Sequence, residues 1–396
     1  MADQYVLGMD LGTTSIKVVL LDIHSKTVTN SSTFPTNSDT SNKETENAKE
    51  QDLTNIIASL DQCLAALPKE KLNKVICIGV SGQMHGVMFW KSKTGCEWSG
   101  SDVGHTFRPK DVSQLITWQD GRCSSNFLLS LPKPQSHLSV ATGFGCASIF
   151  WYTKHRPEFL SEFNVAGTVQ DYVVSMLCGS EACVMTGQNA ASWGYFSTTN
   201  NQWNMDILKG AGFPVHLLPE LVESGSVAGQ TCSEWHGIPA NVPVGAALGD
   251  FQCSVYSCMK DRTDAGVQLS ESEVYSTLVQ CALIQPSTDL CVTPTLLGER
   301  HDPTRLGQVS NISPSSLSLG QVTRAICRGI LANLASMMPP QVLLDAGVRR
   351  IMGSGSALTR NEVLKQEVEK VFPLPVVYGE DVDSAVGVAM IFNDRQ

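Results

Sequence analysis

Two apolar runs joined by a short polar turn begin the chain. Residues 6–22 (VLGMDLGTTSIKVVLLD) place aliphatic side chains on both sides of a turn at residues 12–14, and this pattern predicts a hairpin of two buried strands. The polar stretch of residues 25–50 predicts a surface loop. Apolar residues then recur at helical spacing behind Asp52, a residue type favoured at helix N-caps, so we predict a helix that ends before Pro68. Its apolar positions are Leu53, Ile56, Ile57, Leu60 and Leu64.

Buried strands that end in polar loops recur later in the chain. Residues 75–80 and 242–249 are largely apolar, and each run predicts a strand. The first leads into the loop of residues 81–86 (SGQMHG), and the second ends directly before Asp250, which begins a predicted helix to about residue 258. Ligands of open α/β sheets bind where strands end, so these loops are candidate sites. Further predicted elements are strands around Ile351 and Val376 and helices near 322–338, 361–372 and 382–392.

The turn of the first hairpin carries residues that suit a phosphate group. Asp10 ends the first strand, where its carboxylate can hold the hydration shell of Mg²⁺. Gly12, Thr13 and Thr14 offer backbone N–H and hydroxyl donors to an anion, and Lys17 adds positive charge. An ordinary hairpin with a Gly-Thr turn is the alternative. Because a strand rather than a helix follows the complete motif, we favour a nucleotide site.

A second group of polar side chains suits a polyol. Gln83 and His85 can hydrogen-bond several hydroxyls, while Met84 can pack against sugar carbons. Asp120 and Arg122 add a carboxylate and a guanidinium. A polyol needs such a dense mixture of donors and acceptors. Two alternatives stay open: His85 as a structural histidine, and Asp120 with Arg122 as a local ion pair.

Two further segments have both a structural and a functional interpretation. Residues 188–194 (QNAASWG), with Asp171 upstream, are either a third polar cluster or a polar turn beside a core tryptophan. Asp250 stands where a buried strand meets a helix. A carboxylate at that point is either a helix N-cap or a base that orients and deprotonates a hydroxyl during phosphoryl transfer.

Composition favours a two-domain enzyme that acts on small molecules. The 396 residues exceed what one core usually supports, so two domains are expected. The formal net charge is -10 without a long basic run, which argues against nucleic acid as a partner. No apolar run is long enough to span a membrane, so we expect no membrane partner and a cytoplasmic location. The 13 cysteines include no C-x-x-C pair, which predicts reduced, mostly buried thiols.

A glycine-rich turn follows the predicted strand around Ile351. It contains Gly353, Ser354 and Gly355, and Asn361 begins the next predicted helix. The turn lacks the last glycine of G-x-G-x-x-G, and no P-loop motif occurs in the chain, so neither a Rossmann nor a P-loop nucleotide site is indicated. A glycine turn beside an adenine stays open.

In this order, the motifs resemble those of the FGGY carbohydrate kinases over nearly all of the chain. The resemblance implies an α/β fold of two actin-like (ribonuclease H-like) ATPase domains, here residues 1–258 and 259–396, the second of them truncated. It implies MgATP as the cofactor and a ketose as the small-molecule substrate, and it leaves the oligomeric state open. The segments that carry the resemblance are 8–14, 81–86, 118–122, 249–250 and 353–358.

The resemblance also implies roles for individual residues. Asp250 would be the catalytic base, acting on a terminal hydroxyl of sedoheptulose to give sedoheptulose 7-phosphate, and Asp10 would be the metal ligand. The alternative is a truncated chain that binds sugar without turnover. The implied sugar site comprises Gln83, Met84, His85, Asp120 and Arg122, and the implied nucleotide site comprises Asp10, Gly12, Thr13, Thr14 and Lys17 with Gly353, Ser354, Gly355 and Asn361.

The chain departs from the family pattern in two places. Ser148 stands where the family signature K-x-x-W has its lysine, before Trp151. More seriously, the second phosphate hairpin and the strands expected after Ala265 are missing. Residues 266–275 instead look like the entry to a helix that, in the family pattern, follows much later in the chain. We interpret this as an internal deletion that shortens the sheet of the second domain and leaves residues 264–309 loosely packed.

Overall fold

The computed structural model describes residues 3–41, 45–101, 104–259, 264–268, 275–296, 298–299, 304–379 and 383–395. Packing divides the chain into two units, Met1–Cys253 with Ser384–Gln396, and Ser254–Asp383. Both units combine strands and helices, in agreement with the predicted α/β class. Among the described residues, no helix is long and apolar enough to cross a membrane.

The strands are given in chain order. They are β1 (Tyr5–Leu11), β2 (Ser15–Asp22), β3 (Val28–Pro35), β4 (Asp39–Thr40), β5 (Glu50–Gln51), β6 (Val75–Gly82), β7 (Met88–Trp90), β8 (Cys96–Ser101), β9 (Gly104–Pro109), β10 (Leu115–Ile116), β11 (Val165–Gly167), β12 (Val184–Thr186), β13 (Phe196–Ser197), β14 (Gln202–Trp203), β15 (Glu220–Val222), β16 (Val227–Gln230), β17 (Pro243–Gly245), β18 (Leu248–Gly249), β19 (Asp264–Gln268), β20 (Cys291–Thr293), β21 (Gln308–Ser310), β22 (Arg350–Ser354) and β23 (Val376–Tyr378).

The α-helices follow the same order. They are α1 (Leu53–Ala65), α2 (Lys69–Leu72), α3 (Ser125–Ser130), α4 (Gly145–His155), α5 (Pro157–Leu160), α6 (Val169–Cys178), α7 (Gly187–Trp193), α8 (Met205–Gly210), α9 (Asp250–Cys258), α10 (Tyr275–Leu283), α11 (Leu319–Met337), α12 (Pro340–Asp345), α13 (Ser356–Arg360), α14 (Glu362–Val371) and α15 (Ser384–Asn393). Short 3₁₀ turns cover Val215–Leu217 and Pro314–Ser316.

The central sheet of the first unit has the strand order β16-β17-β6-β1-β2-β3, and β18 also pairs with β6. β1 pairs antiparallel with β2, so the predicted hairpin is confirmed. β1, β17 and β18 all run parallel to β6. The predicted strand over 242–249 is therefore two short strands, and both of them align with β6.

Alternate residues of β1 face two different helices. Leu7, Met9 and Leu11 lie in the core shared with α1, whereas Val6 lies in the core shared with α15. A Cβ on Gly8 would lie only 2.0 Å from the carbonyl oxygen of Ala385, so glycine allows α15 to approach the sheet. The predicted domain ranges place this helix in the second domain, but its apolar face packs on the first sheet.

The segment of residues 25–50 is not only a surface loop, and that prediction is wrong. It contains β3, which pairs antiparallel with β2 along the edge of the sheet. No residue of β3 is fully buried, and an edge strand held by backbone hydrogen bonds needs no apolar pattern. The helix behind Asp52 is confirmed as α1, because the carboxylate of Asp52 accepts the N–H of Asn55 at 3.0 Å.

The second unit has a small parallel sheet with the strand order β19-β22-β23. The strands predicted around Ile351 and Val376 and the helices predicted near 322–338 and 361–372 are present. Of residues 266–275, interpreted as the entry to a helix, residues 266–268 belong to strand β19, which pairs along β22, and the helix α10 begins at Tyr275; residues 269–274 lie outside the described residues. Between residues 284 and 319, seven described apolar side chains are more than half exposed: Ile284, Leu296, Leu306, Val309, Ile312, Leu317 and Leu319.

Candidate active site

Three parallel strands of the first unit end at one edge of the sheet. Leu11 of β1 and Gly249 of β18 both pair with Gly82 of β6. The turn at residues 12–14 (the phosphate turn), the loop at residues 83–86 (the sugar loop) and Asp250 therefore leave the sheet side by side. A Cβ on Gly249 would lie 2.6 Å from the sulfur of Met84, so the sugar loop lies against the strand that carries Asp250.

The phosphate turn is held by hydrogen bonds from several elements. The hydroxyl of Thr36 and the amide of Gln51 donate to the carbonyl oxygen of Thr13 at 3.0 and 2.8 Å. The indole N–H of Trp118 donates to the hydroxyl of Thr13 at 3.0 Å. A Cβ on Gly12 would lie 2.8 Å from the carbonyl oxygen of Ser15. The tight turn therefore depends on glycine and is held by hydrogen bonds from three other segments of the protein.

Asp10 and Lys17 lie opposite each other in the register of the hairpin, beside this turn. Directly opposed residues of antiparallel strands project to the same face, so a carboxylate and an ammonium group share one face next to the phosphate turn. Thr14 is exposed at the tip of the turn. All five phosphate-motif residues named from the sequence are thus within one hairpin.

Asp250 has a carboxyl group suited to accepting a proton near neutral pH. Burial raises its pKa to about 6, although a hydrogen bond from the N–H of Phe251 (2.7 Å) partly opposes the effect. This N–H belongs to the next residue, whereas an N-cap side chain accepts from a residue two or three positions further on. The geometry therefore favours the base interpretation over the N-cap alternative, since a catalytic base works best with a pKa near the operating pH.

The thiol of Cys253 lies close to two carboxylates of the site. Burial is the main cause of its raised pKa, and the negative charges of Asp10 and Asp250 add to the effect. Both carboxylates are therefore within electrostatic range of one buried sulfur. This places the predicted metal ligand and the predicted base in the same part of the sheet edge.

His85 is held in an unusual backbone conformation. Its φ angle is 72°, a region that costs a non-glycine residue free energy and is often retained at functional sites. Its Nδ1 donates to the carbonyl oxygen of Ser192 at 2.8 Å, and its ring stacks on Phe144 with 4.8 Å between the ring centroids. The bond of Nδ1 supports the interpretation of His85 as a structural histidine. The strained backbone is a reason to keep the alternative that His85 also binds the sugar.

Residues 188–194 belong mostly to helix α7, which supports the sugar loop. The hydroxyl of Ser192 accepts the N–H of His85 at 3.2 Å, and the indole of Trp193 donates to the carbonyl oxygen of Gly86 at 3.0 Å. Trp193 is fully buried. The core-tryptophan interpretation is therefore right, and the same helix also fixes the loop.

Several buried side-chain oxygens at this edge accept no hydrogen bond from the described part of the chain. One belongs to Gln170, whose amide nitrogen donates to the carbonyl oxygens of Gly82 and Gln83 at 3.1 and 3.2 Å. Those two bonds fix the orientation of the amide, so the atom that faces away from the two carbonyl groups is Oε1, an acceptor. Buried acceptors of this kind need donors, and the hydroxyls of a polyol would supply them. The set is Gln170 Oε1, Gln188 Oε1, Asn189 Oδ1 and Gln252 Oε1.

Asp120 and Arg122 form a buried ion pair. The guanidinium donates to both carboxylate oxygens of Asp120, at 2.8 and 2.9 Å, and also bonds to Glu50 and Tyr152. The N–H of Lys49 donates to the same carboxylate at 2.8 Å. The ion-pair alternative is therefore correct as geometry, and a direct contact of these two residues with sugar stays a prediction.

The four residues of the predicted adenosine motif lie together in the second unit. Gly353 and Ser354 end β22, and Gly355 has a φ of 88° in the turn that follows. The side chain of Asn361 accepts the N–H groups of Val363 and Leu364 at 3.0 and 3.1 Å. Asn361 is therefore the N-cap of α14, and a contact with adenosine stays a prediction.

The sequence did not identify Gln51 or Gln252 as part of the site. Gln51 directly follows the stretch of residues 25–50 that was predicted to be a surface loop, and its buried position depends on contacts with Thr13 and Gln83. A Cβ on Gly249 would lie 2.5 Å from the side-chain oxygen of Gln252. The one available signal was the position of Gln252 two residues after Asp250 in the predicted helix.

Comparison with known proteins gives consistent results for the sequence and for the fold. A sequence model described as "FGGY family of carbohydrate kinases, N-terminal domain" matches residues 5–257. Proteins named sedoheptulokinase from Mus musculus and Homo sapiens are each 48% identical to the chain, and the alignments cover 98% of the chain and 97% of each relative. The crystal structure of gluconate kinase from Lactobacillus acidophilus has a TM-score of 0.78 at 18% identity and covers 100% of this chain and 89% of that chain.

The alignment with the mouse protein is longer than this chain. It extends over 462 positions, whereas 98% of 396 residues is about 388, so about 74 positions of the alignment hold no residue of this chain. The chain nevertheless spans nearly the whole length of that relative. Residues are therefore missing inside the alignment rather than beyond its ends.

The predicted fold class is confirmed by the structural likeness, which shows the two-domain α/β fold of sugar kinases with actin-like domains. The match of the family model covers more than half of the chain, and the identity to the two relatives extends over nearly all of it. The chain belongs to the FGGY family of carbohydrate kinases.

Proposed function

We propose that the chain transfers the γ-phosphoryl group of ATP to a terminal hydroxyl of sedoheptulose and gives sedoheptulose 7-phosphate. The observation that carries this proposal is Asp250, a partly buried carboxyl whose pKa is raised to about 6 and which lies beside the sugar loop at the sheet edge where the phosphate turn also begins. The 48% identity to two sedoheptulokinases supports the choice of sugar. We place the activity in the cytoplasm, where the 13 free thiols would stay reduced.

Asp250 would act on the hydroxyl that becomes phosphorylated. Its carboxylate accepts the hydroxyl proton while the hydroxyl oxygen forms a bond to the γ-phosphorus, and the bond to the bridging oxygen of ADP breaks. The backbone N–H groups of the phosphate turn stabilise the negative charge on the transferring group. Lys17, on the same face as Asp10, adds positive charge.

The residues at the sheet edge fit a magnesium ion that arrives with the nucleotide. Mg²⁺ is usually held by one or two carboxylates together with substrate phosphates. Asp10 offers such a carboxylate, and its charge acts on the same buried thiol, Cys253, as the charge of the proposed base Asp250. Within the described ranges, no group of three or more histidine, cysteine or acidic residues could hold a metal by itself. When bound, the ion would neutralise charge on the phosphates, and Asp10 would hold it.

The glycine turn of the second unit would bind the adenosine. Gly355, with its φ of 88°, lets the chain turn sharply between β22 and α13. Successive backbone N–H groups at a turn can point into one concave surface and donate to a ligand there. In this proposal Asn361 supports the turn through the cap of α14 rather than by touching the nucleotide.

A second candidate function is sugar binding without turnover. The observation that favours it is the short sheet of the second unit, which has three strands among the described residues, together with the roughly 74 alignment positions that hold no residue of this chain. The sugar loop and its supporting helix α7 lie in the first unit and are intact. Sugar affinity and catalytic rate are therefore separable in this chain.

An assay of ADP release with sedoheptulose distinguishes the two candidates. It should be run on this chain and on a restored chain, in which the segment of the mouse relative that aligns with the gap is inserted after Ala265. Turnover that needs sedoheptulose supports the kinase proposal. Calorimetric binding of sedoheptulose without ADP release supports the second candidate. If the restored chain neither binds sedoheptulose nor releases ADP, both candidates are contradicted.

The activity of the restored chain should depend on pH through Asp250. The ionised carboxylate is the active base and its pKa is raised to about 6, so kcat/KM should fall as the pH drops through about 6 and should be level above about 7. An aspartate with an ordinary pKa would keep its activity to about pH 4. The measurement is kcat/KM for sedoheptulose between pH 5 and 8.

Asp171 is the matched control for this pH profile, because burial raises its pKa to about 7. Asp171→Asn keeps an oxygen that can accept from Thr168 but cannot ionise. If the fall of kcat/KM at low pH arises from protonation of Asp250, Asp171→Asn shows the same fall. If the fall is absent in Asp171→Asn, it arises from Asp171 instead.

Removing the carboxylate of Asp120 should destabilise the first unit strongly. Asp120→Ala leaves the buried guanidinium of Arg122 with Glu50 as its remaining carboxylate partner, and breaking a buried ion pair in this way costs about 3–5 kcal/mol. Urea unfolding measures the loss, and Glu162→Ala, at an exposed position, is the control.

Calorimetry on the folded fraction of Asp120→Ala then tests whether Asp120 belongs to the sugar site. Equal sedoheptulose affinity in the parent and the variant would remove Asp120 from that site.

A further inference from the structure

Gln51 connects the phosphate turn to the sugar loop. Its amide nitrogen donates to the carbonyl oxygen of Thr13 at 2.8 Å and to the carboxylate of Asp39 at 3.0 Å. Its side-chain oxygen accepts the amide nitrogen of Gln83 at 3.0 Å. Gln51 is 1% exposed and Gln83 is 2% exposed. One buried side chain thus bonds to both parts of the candidate site.

These bonds give each amide group a single orientation. Both partners of the Gln51 nitrogen can only accept, so its oxygen must face Gln83. The nitrogen of Gln83 then faces Gln51, and its oxygen faces the hydroxyl of Thr13 at 3.4 Å. That hydroxyl in turn accepts the indole N–H of Trp118 at 3.0 Å. A directed series of hydrogen bonds runs through the site, and each bond depends on its neighbours.

We propose that Gln51 is a positioning residue that holds the phosphate turn and the sugar loop at a fixed separation. It contacts neither substrate directly; it acts through Thr13 and Gln83. This inference deepens the proposed function, because it concerns the same site. The physical reason is geometric: phosphoryl transfer depends on alignment of the hydroxyl with the γ-phosphorus, and a small misplacement of either side slows it. The amide of Gln51 bridges the two sides.

The test uses the complete chain and does not require turnover. The indole N–H of Trp118 reports the position of Thr13, and its NMR resonance is assigned with Trp118→Phe. Gln51→Leu removes both the donor and the acceptor of the amide. Gln62→Leu is the matched control, because Gln62 is an exposed glutamine on the neighbouring helix α1. Hydrogen exchange of the Trp118 indole, calorimetric affinity for sedoheptulose and the melting temperature are measured for each variant.

A second variant separates positioning from stability. Gln51→Glu keeps an acceptor for Gln83 but loses the donor to Thr13, and it places a carboxylate beside Asp39. Adding Asp39→Asn removes the negative charge at position 39. The new amide at position 39 can then donate to the new carboxylate at position 51. The double variant should therefore recover the parent melting temperature while the position of Thr13 stays altered.

The expected results follow from these bonds. Gln51→Leu should speed indole exchange of Trp118 about tenfold and weaken sedoheptulose binding about tenfold, the usual scale for a buried hydrogen bond left unmade. In the double variant the fast indole exchange should persist, and the loss of sedoheptulose affinity should be smaller than in Gln51→Leu. Gln62→Leu should change neither property.

Two outcomes would contradict the proposal. Parent-like indole exchange and sugar affinity in Gln51→Leu would reduce Gln51 to a structural residue, whatever happens to the melting temperature. Recovery of parent indole exchange in the double variant would show that the donor to Thr13 is dispensable. If the parent chain binds no sedoheptulose, the proposed function fails, but the indole exchange still decides the role of Gln51.

Discussion

Replacing Asp250 with asparagine should lower kcat of the restored chain by about 10²–10⁴-fold, the usual cost of losing a general base. Affinity for sedoheptulose should change little, because asparagine has nearly the same shape and the sugar-loop residues are untouched. The measurements are steady-state ADP release and calorimetric sugar binding. A variant of the exposed residue Asp206, Asp206→Asn, controls for the loss of a negative charge.

Two results would contradict this assignment. An unchanged kcat in Asp250→Asn would exclude Asp250 as the base. A loss of sugar affinity as large as the loss of kcat would indicate that Asp250 mainly binds the sugar. A selective fall in kcat, by contrast, would agree with a carboxylate that acts on the transferred proton only in the transition state.

This chain should phosphorylate sedoheptulose at least about 10²-fold more slowly than the restored chain. The family resemblance implies a second phosphate hairpin after Ala265, whose backbone donors would face those of the phosphate turn. Loss of a single well-placed donor costs about 10²–10³ in kcat, and a hairpin carries several. The measurement compares kcat for the two proteins in the ADP-release assay.

The same comparison can be made for the surface of the second unit. Four of its exposed apolar side chains, Ile284, Leu296, Leu306 and Val309, lie within the range 264–309 that was predicted to pack loosely. The edge strands of a short sheet also favour association between copies. Sedimentation should show more large species for this chain than for the restored one. Equal rates and equal sedimentation would mean that the deletion has no functional consequence.

Local signals in the sequence were enough to predict the main elements. The hairpin β1–β2 and the helix α1 are present because apolar runs, helical periodicity and the cap at Asp52 act over a few residues. The same holds for the strands β22 and β23 and the helix α14 of the second unit. The order of the motifs also identified the family, because each motif is continuous in the chain.

Strands held mainly by backbone pairing were less predictable. β3 was interpreted as loop because its side chains are polar, although its backbone pairs with β2 along an edge. Residues 266–268 of β19 were interpreted as part of the entry to the helix that begins at Tyr275, although they pair with β22, more than 80 residues later in the chain. In both cases backbone pairing with another strand outweighed the local signal: β3 is polar but pairs with the neighbouring strand β2, and β19 pairs with a strand far away in the sequence.

For the site, the sequence by itself determined which residue types stand at the ends of strands: Asp10, Gln83 and Asp250 were all named from it. The tertiary structure alone showed that these strands end together, since Leu11 and Gly249 both pair with Gly82. It also decided that Asp120 and Arg122 form a buried ion pair with each other. The physical reason is that burial, pKa and hydrogen-bond partners depend on side chains far away in the chain; the pKa of Asp250 is raised by burial that no neighbouring residue could reveal.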